Sequence, residues 1–87
     1  MSGAPGLEFP ADFPLKVMGR HDSDLRALTQ AIVERHAGPV AESQVRTRTS
    51  ADGNFLALTY LVRATSRDQL DSIYRELTAC PVVLMAL

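Results

Sequence analysis

The side chains of this chain that can do chemistry are few. They are the turn Gly19-Arg20-His21-Asp22-Ser23, a second histidine at position 36, and one thiol, Cys80. The turn separates an extended pattern from a helical one. A strand–glycine–helix junction presents free backbone N–H groups at the positive end of the helix dipole, which favours a small anion. Arg20 adds a fixed positive charge. Gly19, Arg20, His21, Asp22 and Ser23 therefore form a candidate ligand site. The competing reading is a turn that caps itself, because Asp22 and Ser23 can each accept from those same N–H groups. His21 and His36 lie before and at the end of one helix, about four turns apart, too far to share a metal. At the helix C-terminus His36 is well placed against the dipole, a structural role. Cys80 is alone, which excludes an intrachain disulfide and a cysteine metal cage; beside Pro81 it reads as a small buried hydrophobe. No serine, cysteine or lysine can be matched with a base, so no nucleophilic constellation is expected. Neither enzymatic activity nor a cofactor or metal is expected.

The elements that position these residues follow in a simple order. Extended patterns fall at Phe13–Gly19, Ser43–Thr49, Asn54–Ala64 and Val82–Leu87, and helical ones at Ser23–Ala37 and Arg67–Ala79. That is βαββαβ, the order of the ferredoxin-like α+β sandwich: a four-stranded antiparallel sheet with two helices on one face. Residues 13–87 are the expected domain. Residues 1–12, with Gly3, Pro5, Gly6 and Pro10, read as a mostly flexible tail whose Leu7 and Phe9 dock on this domain or on a neighbour. Pro14 belongs at the start of the first strand, because proline cannot donate to a ladder. Gly19 ends that strand and allows a sharp turn. The first helix opens at Asp22 or Ser23, with Asp24 favouring its dipole, buries Leu25, Leu28, Ile32 and Ala31, and stops at Gly38-Pro39. The second has Ser66 as cap with Gln69 three residues on, then Leu70, Ile73, Tyr74 and Leu77 at helical spacing. Asp68, Asp71, Arg75 and Glu76 form its solvated face, with Asp71–Arg75 an i, i+4 pair. Ser50–Asn54 is a hairpin connection in which Asp52-Gly53 supplies positive φ.

One face of such a sheet is left open. Leu56, Leu58, Tyr60 and Val62 are the bulkier set on the third strand and belong to the core. Lys16, Met18, Phe55, Thr59, Leu61, Arg63 and Leu84 then line the open face. The second strand sets Val45, Thr47 and Thr49 against Gln44, Arg46 and Arg48, a charged edge that discourages pairing with another chain. The last strand is apolar on both sides: Val83, Met85 and Leu87 against Val82, Leu84 and Ala86. The open face thereby gains an apolar content that suits a second copy or a partner protein. Single-stranded RNA is the alternative occupant. That use needs two or three exposed aromatics, and only Phe55 qualifies. A net charge of −1 carries no strong attraction to nucleic acid or to anionic membrane. No apolar run approaches the ~20 residues of a membrane span and no leader pattern opens the chain, so the cytoplasm is the expected location.

A wider resemblance rests on Glu8-Phe9-Pro10, Phe13, Lys16-Val17-Met18-Gly19, Ser50, Gly53-Asn54-Phe55 with Leu58, Ala64-Thr65, Tyr74-Arg75-Glu76-Leu77 and Val83-Leu84-Met85-Ala86-Leu87. On these residues the chain, from Leu7 to Leu87, resembles the YbeD-like family of small bacterial proteins. The resemblance implies the βαββαβ fold, similar to ACT-type regulatory domains, and no established enzymatic activity. It also implies a non-catalytic regulatory or adaptor role, with an association to lipoate metabolism through gene neighbourhood. The ACT analogy places a ligand at the first strand–helix turn, here Gly19–Ser23. ACT turns run acidic residue first and glycine after; here Gly19 precedes Asp22, so no amino-acid specificity carries over.

Overall fold

A computed structural model of the chain describes residues 8–87; Leu7 lies outside the described residues. The elements are β1 (Ala11–Arg20), α1 (Leu25–Ala37), a single 3-10 turn at Glu42–Gln44, β2 (Val45–Thr49), β3 (Phe55–Ala64), α2 (Arg67–Ala79) and β4 (Met85–Ala86). The strands lie in the order β2-β3-β1-β4, every neighbouring pair antiparallel. This is the ferredoxin-like α+β fold expected from the element order.

The central pair is in register along its whole length, from Ala11 opposite Ala64 to Arg20 opposite Phe55. β1 thus begins two residues before the expected Phe13, inside the stretch read as tail. Pro14 sits within the strand, opposite Leu61. Its nitrogen faces the β4 side beyond the last paired residues, so no ladder bond is lost there. Leu15, Val17, Leu58, Tyr60 and Val62 project to the helix-covered side and are buried. They meet Leu25, Ile32 and Val33 of α1 and Ile73 and Leu77 of α2. Each such side chain, fully buried, contributes on the order of 1.5–3 kcal/mol. Phe13 packs edge-on against Tyr74, with ring centroids 6.5 Å apart. The Ser50–Asn54 connection forms as its residues suggest. Gly53 takes φ 79°, and Asp52 Oδ1 accepts from the Asn54 N–H at 3.0 Å and from the Ser50 hydroxyl at 2.7 Å. These bonds hold the Asp52 carboxyl below its ordinary range.

The second helix matches its sequence pattern. Ser66 Oγ accepts from Gln69 N at 3.1 Å, and Gln69 returns a side-chain oxygen to Thr65 N at 2.7 Å. Its charged face differs from the expectation. Arg67, not Arg75, pairs with Asp71. Glu76 is not merely solvated: it takes hydrogen bonds from Arg35 and His36 and so clamps α2 to the C-terminal turn of α1. Gln69 Nε2 adds a bond to the His36 carbonyl at 3.0 Å.

The first helix departs further. Neither Asp22 nor Ser23 caps it; Asp24 occupies the cap position without a side-chain hydrogen bond. Its buried residues are Leu25, Thr29, Ile32 and Val33, while Leu28 is 43% exposed and Ala31 faces solvent. The cause is a polar contact. The Thr29 hydroxyl donates to the Leu25 carbonyl at 2.7 Å and meets the Tyr60 hydroxyl at 2.8 Å. Burying the Tyr60 ring requires a partner for its O–H, and rotating α1 brings Thr29 to it. Burial also raises the Tyr60 pKa.

The last strand is shorter than the expected Val82–Leu87. Val83 N donates to Cys80 O at 3.0 Å, which makes residues 80–83 a turn. Leu84 N then donates to Met18 O at 2.8 Å while Met85 lies opposite Met18. Two residues answer one, as in a β-bulge, and the simple alternation is lost. Gly19 explains the approach. It is a buried residue inside β1, not the end of the strand. A Cβ built on it would lie 2.5 Å from the Val82 carbonyl oxygen and 2.7 Å from Leu25 Cδ1. The missing side chain is needed for space, not for a turn.

Two outcomes follow from these contacts. Gly19→Ala should be destabilised by about 1–3 kcal/mol through overpacking, read as a lower urea midpoint; an unchanged midpoint would contradict the close approach. The Glu76 carboxyl is held below its ordinary 4.5 by hydrogen bonds from Arg35 and His36. A depressed folded-state pKa contributes stability above the unfolded value that is lost as pH falls through the folded one. Glu76→Gln should therefore flatten the fall in melting temperature on acidification below that value. Parallel wild-type and variant profiles would remove Glu76 from the acid response.

Candidate functional site

The strand–helix turn holds itself together. Arg20 Nε lies 3.3 Å from Asp22 Oδ1. The Ser23 hydroxyl donates to the Arg20 carbonyl at 2.7 Å, and Ser23 N donates to the same oxygen at 3.2 Å. His21 N donates to Asn54 O at 2.8 Å, tying the turn to the start of β3, while its side chain faces solvent. Gly19 is beneath, buried under Val82 and Leu25. Within the five-residue turn, Asp22 is engaged by the Arg20 side chain and Ser23 by the Arg20 carbonyl.

The open face offers more. On β1 and β3 the residues between the buried ones point away from the helices, and the register places them in cross-strand rows. Arg46, Thr59 and Lys16 form one row; Arg48, Ala57, Met18 and Met85 form the next. Leu61 lies beyond the first row, beside Pro14, and Phe55 beyond the second, beside Arg20. Leu61 is 42% exposed, Met85 49% and Leu87 61%. Arg63 stands on the same face but is engaged with Asp12 at 3.3 Å. Leu84 is exposed at the β4 edge, next to Met18. The bulge gives Met85 to the open side and sets Ala86 opposite buried Val17, against the core. The alternation expected of this segment, with Ala86 beside Leu84, is corrected accordingly.

Relief on this face comes from side-chain length. Ala57 and Thr59 are short and make a floor. Lys16 on one side and Arg46 and Arg48 on the other are long and make walls. The resulting cleft has about 310 Å3 and is lined by Lys16, Arg46, Thr47, Arg48, Ala57 and Thr59. Beside it is a second, mainly apolar cleft of about 190 Å3 bounded by Met18, Thr49, Ser50, Phe55 and Leu56, with Arg48 and Ala57 common to both. Lys16, Met18, Phe55 and Thr59 were legible as open-face residues. Arg46, Arg48 and Ala57 were not assigned to a site. The two arginines carry a period-two signal on β2, but only the register sets Arg46 in the row of Lys16 and Arg48 in the row of Met18.

Of the aromatic residues on the strands, Phe13 and Tyr60 turn toward the helices, and Phe55 alone borders the open face. Among the described residues no group of three His, Cys, Asp or Glu side chains can hold a metal ion. No helix there is long and apolar enough to cross a membrane.

The family described as "Protein of unknown function (DUF493)" matches residues 4–87. A UPF0250 protein of Chromobacterium violaceum is 52% identical over 82 residues, covering 93% of this chain and 91% of the relative. A UPF0250 protein of Paraburkholderia phytofirmans is 46% identical over 81 residues, with 93% and 91% covered. One of Ralstonia nicotianae is 43% identical over 81 residues, with 93% and 84% covered. Aligned nearly end to end with these bacterial relatives, the chain belongs to the DUF493, or UPF0250, family of small proteins, whose function is unknown.

Proposed function

We propose that this protein is a non-catalytic regulatory module of the cytoplasm that binds a small metabolite on the open face of its sheet. The observation that carries the reading is the pair of adjoining clefts, one basic and one apolar, on a sheet face that no helix or strand among the described residues covers. This reading assigns the clefts binding rather than bond-making. The apolar side chains Met85 and Leu87, continuous with Met18, offer a neighbouring surface to a partner protein or a second copy. A ligand in the clefts acts on that association only through a difference in its affinity for the free and associated forms.

Single-stranded RNA is the second reading. Lys16, Arg46 and Arg48 beside Phe55 favour it, because cations along a groove with an aromatic plate suit a stacked base and its phosphate. One plate is fewer than sheet-face RNA binders use.

An amide-resolved NMR titration separates these readings. The additions are pooled small metabolites, lipoyl and octanoyl compounds, and a short single-stranded RNA. Shifts at Lys16, Met18, Arg46, Arg48, Ala57 and Thr59 with a metabolite pool are expected. Shifts there with RNA alone would favour the second reading, and the weakening of that binding by Phe55→Ala should be about 1–3 kcal/mol. Shifts confined to Gly19–Ser23 would move the site to the turn.

A further inference from the structure

The distribution of positive charge over the molecule is uneven in an informative way. The chain has nine lysine and arginine residues. Arg20, Arg26, Arg35, Arg63 and Arg67 each stand within 4.0 Å of an acidic partner. Among the described residues Lys16, Arg46, Arg48 and Arg75 form no such pair. Three of those four line the same 310 Å3 cleft. Like charges gathered with no acidic side chain within 4.0 Å repel one another, and this arrangement is complementary to an anion supplied from outside.

We infer that the cleft between β1 and β2 binds a small organic phosphate, with Lys16, Arg46 and Arg48 around the phosphate and the adjoining apolar cleft around its organic part. The inference rests on the open face being the binding surface and adds the chemical class of the ligand. Three positive charges match a phosphate dianion better than a single carboxylate. Guanidinium groups present paired N–H donors at the spacing of phosphate oxygens. The Thr59 hydroxyl, on the floor between Lys16 and Arg46, forms no hydrogen bond within the described residues and has a donor to give. Free phosphate would leave the second cleft unused. Met18, Phe55, Leu56 and Ala57 bound that space together with Thr49 and Ser50, the exposed surface is mainly apolar, and Arg48 stands at the junction. A ligand with a charged head and a flat or aliphatic body fills both.

The test compares phenyl phosphate, inorganic phosphate and phenol by NMR titration of the full chain, then adds a single-stranded oligonucleotide. Phenyl phosphate should shift the amides of Lys16, Met18, Arg46, Arg48, Ala57 and Thr59 and bind about tenfold more tightly than inorganic phosphate or phenol. Exchanging both Arg46 and Arg48 for Gln, at exposed positions of an edge strand, should weaken it at least about tenfold. Arg75→Gln, which removes an unpaired cation away from the cleft, should leave it unchanged. Equal losses in the two variants would mean general charge attraction and overturn the inference. So would the absence of any phenyl phosphate shift at about 10 mM, a ceiling well above ordinary ligand affinities. Binding of the oligonucleotide without binding of phenyl phosphate would reassign the cations to nucleic acid. A neutral or cationic metabolite that shifts the open face where phenyl phosphate does not would refute the phosphate and leave the open-face reading intact.

Discussion

Three segments converge on the space where Gly19 has no side chain. β1 runs beneath it, Leu25 at the start of α1 leans over it, and the Val82 carbonyl comes down from the turn after α2. Any Cβ there meets backbone on one side and core on the other. The rest of the sandwich depends on this contact. It sets how closely α1 approaches the sheet and where the chain re-enters to form β4. It also sets which residues of the last segment face outward. Met85 and Leu87 reach the open face because the path over Gly19 delivers the chain to β1 with a bulge at Leu84.

A second constraint is polar. Tyr60 projects from the centre of β3 into the core, and its hydroxyl must find a partner in an apolar surround. Thr29 provides one, and the Arg26 carbonyl lies 3.4 Å away. Apolar packing alone leaves the rotation of α1 loosely specified, since Leu28 and Val33 are both suitable for burial. The hydroxyl pair decides between them. Arg26 also fastens the outer side of α1 to Glu42 through two bonds of 2.9 and 3.2 Å, so the helix is held on both flanks.

These contacts explain what the sequence made legible. β3 and α2 were readable because their patterns are local: a long alternation in one, a cap followed by a 3.6-residue stripe in the other. The order of the elements made the topology readable as well. α1 was not, because the choice of stripe depends on a tyrosine thirty-one residues away. The last strand was not, because its alternation is broken by a packing requirement at Gly19. The open face was recognised through Lys16, Met18, Phe55 and Thr59. Its basic wall on β2 reads, in the sequence, only as protection of an exposed edge. Arg46 and Arg48 serve that purpose too, but their relation to Lys16 is a property of the register across three strands, which no stretch of sequence carries by itself.

The position of β1 has a temporal consequence. It is the first strand among the described residues and an inner strand of the sheet, so both of its neighbours are made later. The β2–β3 hairpin closes over five residues and can form early. Joining β1 to β3 requires closing a loop of more than thirty residues, an entropic cost met before any of the pairing is gained. Even then the far edge of β1 stays unpaired until residues 84–87 arrive. During that interval an apolar inner strand presents open hydrogen-bonding groups to other chains. The four-residue closure by Leu84–Leu87 thus does more than complete the sheet: it ends the period in which β1 can pair with the wrong partner.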